Sequence, residues 1–227
     1  MEALIITAVV VIFIALVVIG VIQERKRQAA LLAFAQESGL TYRAEKNASV
    51  ASRYEFLNQL DDGSNRYIKH WFSGSFEECQ VHAFDHHHAT TSTDSKGRRR
   101  TKHHWKTVAL VELPRECPEI TIAKEGLFSK IAQGLGWQDI DFESAEFSKK
   151  FVVRSKDKRF TYDFIQPRVM EILLDNRHMF GQMEVDRDVI ALVRGGRQDP
   201  SQIAQDLKLL CAITHLFPQH LADSHSS

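Results

Sequence analysis

The chain has 227 residues, of which 44% are hydrophobic and 26% charged, a balance that excludes intrinsic disorder. Lysine plus arginine and aspartate plus glutamate both number 29, so net charge gives no case for a dedicated nucleic-acid binder. The three cysteines, Cys79, Cys117 and Cys211, contain no C-x-x-C pair, which excludes a zinc knuckle or dithiol motif and fits a reducing compartment.

Residues 3–22 form an uncharged run rich in valine and isoleucine. At 1.5 Å per residue, about 20 apolar residues match a hydrocarbon core of roughly 30 Å, and in lipid a helix is the conformation that satisfies its own backbone. A cleaved leader is the competing reading. It calls for a basic start and a small-residue cleavage site, whereas this run begins beside Glu2 and ends Val-Ile-Gly-Val-Ile-Gln. Arg25, Lys26 and Arg27 follow the run and nothing basic precedes it. The positive-inside rule therefore predicts an inner-membrane, single-pass protein with its N-terminus outside and its C-terminal domain in the cytoplasm.

The span is expected to continue as a juxtamembrane helix over residues 23–39, ended by Gly39. A soluble domain is expected over 40–218 and a flexible polar tail over 219–227. Within the domain, 41–46 is a short strand, 61–65 (Asp-Asp-Gly-Ser-Asn) a turn, and 66–72 a strand broken at Gly74-Ser75. Residues 78–88 and 105–113 are strands flanking a polar loop over 90–100. Pro114 and Pro118 are expected to end the second, with 120–123 as a further strand. Then come short helices over 127–133 and 144–150, a strand at 151–154, and helices over 158–165 and 167–174 with Pro167 at a first helical position. A hairpin over 179–194 turns at Asp186-Arg187, and a last helix runs to 216 behind Asp199-Pro200. Strands and helices mix without βαβ alternation. The fold class is α+β: a transmembrane helix, then a mixed domain with an antiparallel β meander and several short helices.

Glu146-Phe147, Phe151-Val152-Val153, Pro167-Arg168-Val169-Met170-Glu171 and Val189-Ile190-Ala191-Leu192 together resemble a bacterial family of membrane-anchored domains of unknown function, best over residues 143–192 and more loosely over 66–195. The resemblance implies one or two N-terminal spans followed by an α+β cytoplasmic domain. It implies no activity.

Two clusters invite functional readings. Seven of the 11 histidines lie between His70 and His104. A strand over 78–88 puts His82, His86 and His88 on one face, with His104 able to lie opposite His88; imidazoles so placed accept zinc or a similar divalent metal. Solvated histidines on a polar hairpin are the plainer alternative. Lys96, Arg98, Arg99, Arg100 and Lys102 crowd the loop of the same hairpin. With Arg25, Lys26 and Arg27 they are suited to anionic lipid headgroups, or simply keep a hairpin edge soluble. Nucleic acid is disfavoured, since only Trp105 is an aromatic neighbour. Asp139, Asp141, Glu143 and Glu146 are read as complementing a helix N-terminus. No G-x-S-x-G, P-loop or G-x-G-x-x-G is present. The expected function is a cytoplasmic, non-enzymatic domain held at the bilayer by residues 3–22, contacting a protein partner or the membrane surface and needing no cofactor. A metal-binding protein or metal-dependent enzyme using the histidines of the 78–106 hairpin is the alternative.

Overall fold

In the computed structural model, which describes residues 1–125, 137–178 and 180–222 (for 2–4, 220 and 222 the backbone alone), the apolar run and the segment after it are one unbroken helix, α1 (Glu2–Ser38). Gly39 stops it: φ is 72°, and the N–H groups of Gly39 and Leu40 both return to the Ala35 carbonyl. The first half is long and apolar enough to cross a membrane, and its large side chains from Ile5 to Ile22 are bare. The second half carries Glu24, Arg27, Leu31, Phe34, Ala35 and Ser38 at spacings of three and four. This stripe faces the protein; Leu31 and Ala35 are buried and Phe34 meets Phe72 edge-on at 5.5 Å.

The stripe packs on a seven-stranded antiparallel sheet. Its strands are β1 (Thr41–Arg43), β2 (Ser64–Phe76), β3 (Cys79–Thr93), β4 (Arg99–Lys124), β5 (Gln138–Asp139), β6 (Phe151–Ser155) and β7 (Gln182–Gly195). The meander β1-β2-β3-β4 is present as expected, with β2, β3 and β4 longer than expected and β1 shorter than the strand expected over 41–46. β2 is not broken at Gly74, which pairs with Val81; the chain reverses instead at Glu77-Glu78. The polar loop after β3 shrinks to residues 94–98, because Thr90 to Thr93 pair with Lys102 to Arg99.

Two further expectations are corrected. β4 runs through Pro114 and Pro118: β3 pairs with it only up to Val111, and β6 joins only from Ile120, so neither proline has to donate to a ladder on that side. Residues 182–195 are one strand along β4, not a hairpin. Arg187, at φ 53°, sits in an irregularity opposite the Glu112–Cys117 register shift, so its turn-like residues mark a bulge. The expected helix over 127–133 and residue 179 lie outside the described residues.

Helices cover the sheet unequally. One face packs against α1, α3 (Ala145–Lys150), α4 (Lys158–Phe164), α5 (Pro167–Asp175) and α6 (Pro200–Thr214), around Phe72, Phe147, Phe164, Ile122 and Leu210. Ser144 and Asp157 cap α3 and α4 through their side chains. The other face packs under α2 (Ala48–Arg53) and the segment after it, around Leu57, Leu60, Ile68, Phe84 and Val108. A short helix, α7 (Gln219–Ala222), closes the described chain. Truncating a fully buried phenylalanine such as Phe72 to alanine costs about 3–5 kcal/mol in such cores.

Candidate functional site

The sheet alternates strictly at β3. Ala83, Asp85 and His87 point to the α1 face; Phe84, His86 and His88 point to the α2 face. Asp85 is therefore a carboxylate inside the fold, 1% exposed, and it is neutralised from α1. Arg27 reaches it with 2.8 and 3.1 Å contacts, Thr107 donates to it at 2.9 Å, and Arg27 also donates to the Gln198 carbonyl at 2.9 Å. One turn toward the span, Glu24 lies 3.5 Å from His70 and accepts from Arg197 at 2.8 Å; Tyr42 hydrogen-bonds the other His70 nitrogen at 2.7 Å. Burial holds the His70 imidazole below its ordinary value, against the pull of Asp85, and lifts the Tyr42 hydroxyl to about 12. Arg27, grouped by the sequence with Arg25 and Lys26 as a membrane contact, is thus occupied within the fold. Arg25 and Lys26 are exposed.

The four histidines proposed as ligands divide. His82 sits between the Trp71 indole N–H (3.3 Å) and Glu112 (3.2 Å), away from the others. His86, His88 and His104 form a row on the α2 face, with ring centroids 5.9 Å apart for the first pair and 4.9 Å for the stacked second pair. Both ring nitrogens of His86 and Nδ1 of His88 are buried without a hydrogen-bond partner among the described residues. Burial, then the neighbouring His88, drives the His86 imidazole down to about 3, so it is a neutral ring at any ordinary pH. Among the described residues, no group of three or more His, Cys, Asp or Glu side chains is arranged to hold a metal ion. His88 and His104 instead border a groove of about 850 Å³, with Asp62, Lys106 and the Gly195-Gly196 backbone.

The basic loop is the exposed tip of the β3–β4 hairpin. Asp94 shapes it, accepting from the Lys96 and Arg98 N–H groups at 2.9 Å and from the Arg98 guanidinium, while Gly97 takes a left-handed φ of 75°. Lys96, Arg99, Arg100 and Lys102 are exposed and make no ion pair among the described residues.

Sequence reasoning missed the buried acids. Glu184 on β7 is fully buried and accepts from the Asn58 N–H and side-chain amide, both at 2.8 Å; the same amide contacts Glu119. Burial raises its carboxyl to about 7. Asp206 on α6 is held bidentately by Arg194 at 2.7 Å. Glu184 stands between Met183 and Val185 in a strand, and Asp206 shares the buried helical stripe of Ile203, Leu207 and Leu210, patterns that could have flagged them. Of the carboxylates at 139–146 read as complementing a helix N-terminus, Glu146 lies in the first turn of α3, whereas Asp139 lies on β5 and pairs with Arg154 at 2.6 Å. Burial raises all three thiols, Cys117 to about 11, so none is poised as a nucleophile.

No protein-family model and no curated protein matches the chain. A solved structure is similar to it: the crystal structure of the mycobacterial trehalose monomycolate transport factor A, TtfA, with a TM-score of 0.61 over 83% of this chain and 92% of that one, at 10% sequence identity. At that identity the likeness is one of fold. With its long, bare, apolar α1 leading into an α+β domain, the chain fits a membrane-anchored protein.

Proposed function

We propose that this chain is a single-pass protein of a bacterial inner membrane, N-terminus outside, whose cytoplasmic α+β domain works by binding a protein partner or the membrane surface and not by catalysis. One observation carries the reading: α1 is continuous from the bare apolar run to a buried Arg27–Asp85 ion pair. A helix so joined gives the domain a set pose against the bilayer, which suits a docking platform. Water does not tolerate an apolar surface of that extent, and lipid is its natural cover. TtfA is titled a transport factor; we carry over from it only the idea of a role in transport.

Sidedness tests the reading directly. A Ser95→Cys variant in intact cells should resist a membrane-impermeant maleimide and react once the membrane is opened; labelling of intact cells would reverse the orientation. The unpartnered nitrogens of His86 and His88 favour a second reading, a metal-binding hairpin. Metal analysis of the full chain, purified in detergent with its tag removed, separates the two. A metal-free, stable protein supports the binding platform. Stoichiometric zinc lost on His86→Gln or His88→Gln would replace it.

A further inference from the structure

The direction of the β3–β4 hairpin relative to the span can be read from three contacts. Along α1 from Ser38 toward the membrane, Phe34 touches Phe72, whose partner on β3 is Ala83; Arg27 grips Asp85; and Glu24, through Arg197, reaches the ring of Trp105, the partner of His87. The contacts climb β3 in order, 83, 85, 87. The helix and the hairpin therefore ascend together, and the tip points toward the bilayer.

The levels are informative. Ile22, the last apolar residue of the run, lies about 3 Å beyond Glu24 along the helix. The hairpin continues six residues beyond Trp105 to Arg99, about 20 Å at strand rise. A headgroup layer is only about 5–8 Å thick on each side. A rigid hairpin cannot rise that far beside the span without entering lipid, and its tip holds Lys96, Arg98, Arg99, Arg100 and Lys102, which hydrocarbon rejects. The strands must therefore be inclined to the helix axis and the span tilted, so that the tip lies along the headgroups. Half-buried Tyr67 and Trp105, edge to face at 5.8 Å, stand at its base on the α1 side, at the level where amphipathic aromatic rings sit in membrane proteins.

We infer that the β3–β4 hairpin tip is a second membrane contact, resting on anionic lipid headgroups through Lys96, Arg99, Arg100 and Lys102. The inference builds on the anchoring proposed above. The span keeps the tip at high effective concentration near the surface, so modest attraction suffices. Arg98 shapes the turn with Asp94 and takes no direct part.

The experiment uses the full chain in nanodiscs of phosphatidylcholine, with or without a third of phosphatidylglycerol. A fluorophore is placed on Ser95→Cys, or on Lys149→Cys on α3 as a distal control; the native cysteines are buried. Quenching by headgroup-labelled lipid reports contact. The Ser95 probe should be quenched severalfold more in anionic discs than in neutral ones, the difference should vanish at high salt, and the Lys149 probe should stay bright. Each cation replaced in a Lys96→Ala, Arg99→Ala, Arg100→Ala, Lys102→Ala series should weaken tip contact about fivefold. Equal quenching in both lipids, or an unchanged quadruple variant, overturns the inference. So does single-stranded nucleic acid that binds these cations and is not displaced by anionic lipid. Failure of the chain to enter discs at all would sink the anchoring reading instead, and gel filtration of the discs reads that separately.

Discussion

Replacing Asp85 by alanine should loosen α1 from the sheet. The carboxylate is 1% exposed, and its partner Arg27 has a side chain 13% exposed, so water does little to screen the pair. Removal of Asp85 leaves the largely buried guanidinium with the Gln198 carbonyl as its remaining hydrogen-bond acceptor among the described residues, and leaves the Thr107 hydroxyl only the longer bond to the Gly196 carbonyl. Breaking one side of a buried, hydrogen-bonded ion pair costs about 3–5 kcal/mol. Because Arg27 belongs to the docked half of α1, local opening of residues 23–38 should absorb part of that loss. The assay is twofold: denaturant unfolding of the full chain in mild detergent, and hydrogen exchange of the amides from 27 to 38. Asp85→Ala should lower stability by about 3 kcal/mol and speed exchange in that stretch. The Arg27→Leu/Asp85→Leu double variant should recover much of the loss, since no charge is then left buried. A loss below about 1 kcal/mol with unchanged exchange would show that the pair does not fasten the helix, and the set pose would fall with it.

Two further outcomes follow from buried or strained groups. Glu184, raised to about 7 from an ordinary value of 4.5, binds its proton more tightly folded than unfolded, so its contribution to stability falls as pH rises from about 4.5 to 7, by up to about 3 kcal/mol. The pH dependence of Tm for Glu184→Gln should lack that decline, and the variant should gain on the parent as pH rises; parallel curves would refute the assignment. His86 acts in the opposite sense, its depressed value costing stability as pH falls below about 6.5, and it remains in both proteins, so the difference between them isolates Glu184. At the β2–β3 turn, Glu77 and Glu78 both hold positive φ, 46° and 66°, the geometry that asparagine and glycine favour in two-residue hairpins. Glu77→Asn/Glu78→Gly should raise stability by about 1 kcal/mol; a lower denaturation midpoint would mean that the glutamates make contacts which outweigh the strain.

Much of the architecture was legible because it follows from local rules. Gly39, Ser144, Asp157 and Pro167 mark the helix boundaries where capping and φ preference put them. The alternation of β3 correctly placed His86 and His88 on one face. The errors came where tertiary pairing overrides local punctuation. Pro114, Pro118 and the Asp186-Arg187 pair all look like turns, yet they gather at one bend, where β4 loses β3 and has not yet gained β6, so a missing donor and a positive φ cost little there. Long-range register of that kind leaves no trace in a window of a few residues.

The candidate site was harder to read for a related reason. Three basic residues in a row after an apolar span suggest a single electrostatic role, but a helix turns 100° per residue and sorts them. Arg25 and Lys26 face outward; Arg27 falls on the same stripe as Glu24, Leu31 and Phe34 and turns inward. The stripe is visible in the sequence once charged residues are allowed on a docking face, and Asp85, the one acid in β3, is its natural counterpart. The β3–β4 hairpin thus carries on β3 the residue that grips the anchor and, at its far end, the basic tip inferred to meet the lipid. Since both lie on one rigid hairpin, the tilt of the span and the position of the tip cannot vary independently. On the proposed anchoring, anything that draws the tip onto anionic lipid, or lifts it away, changes the angle at which the groove beside His88 and His104 is presented.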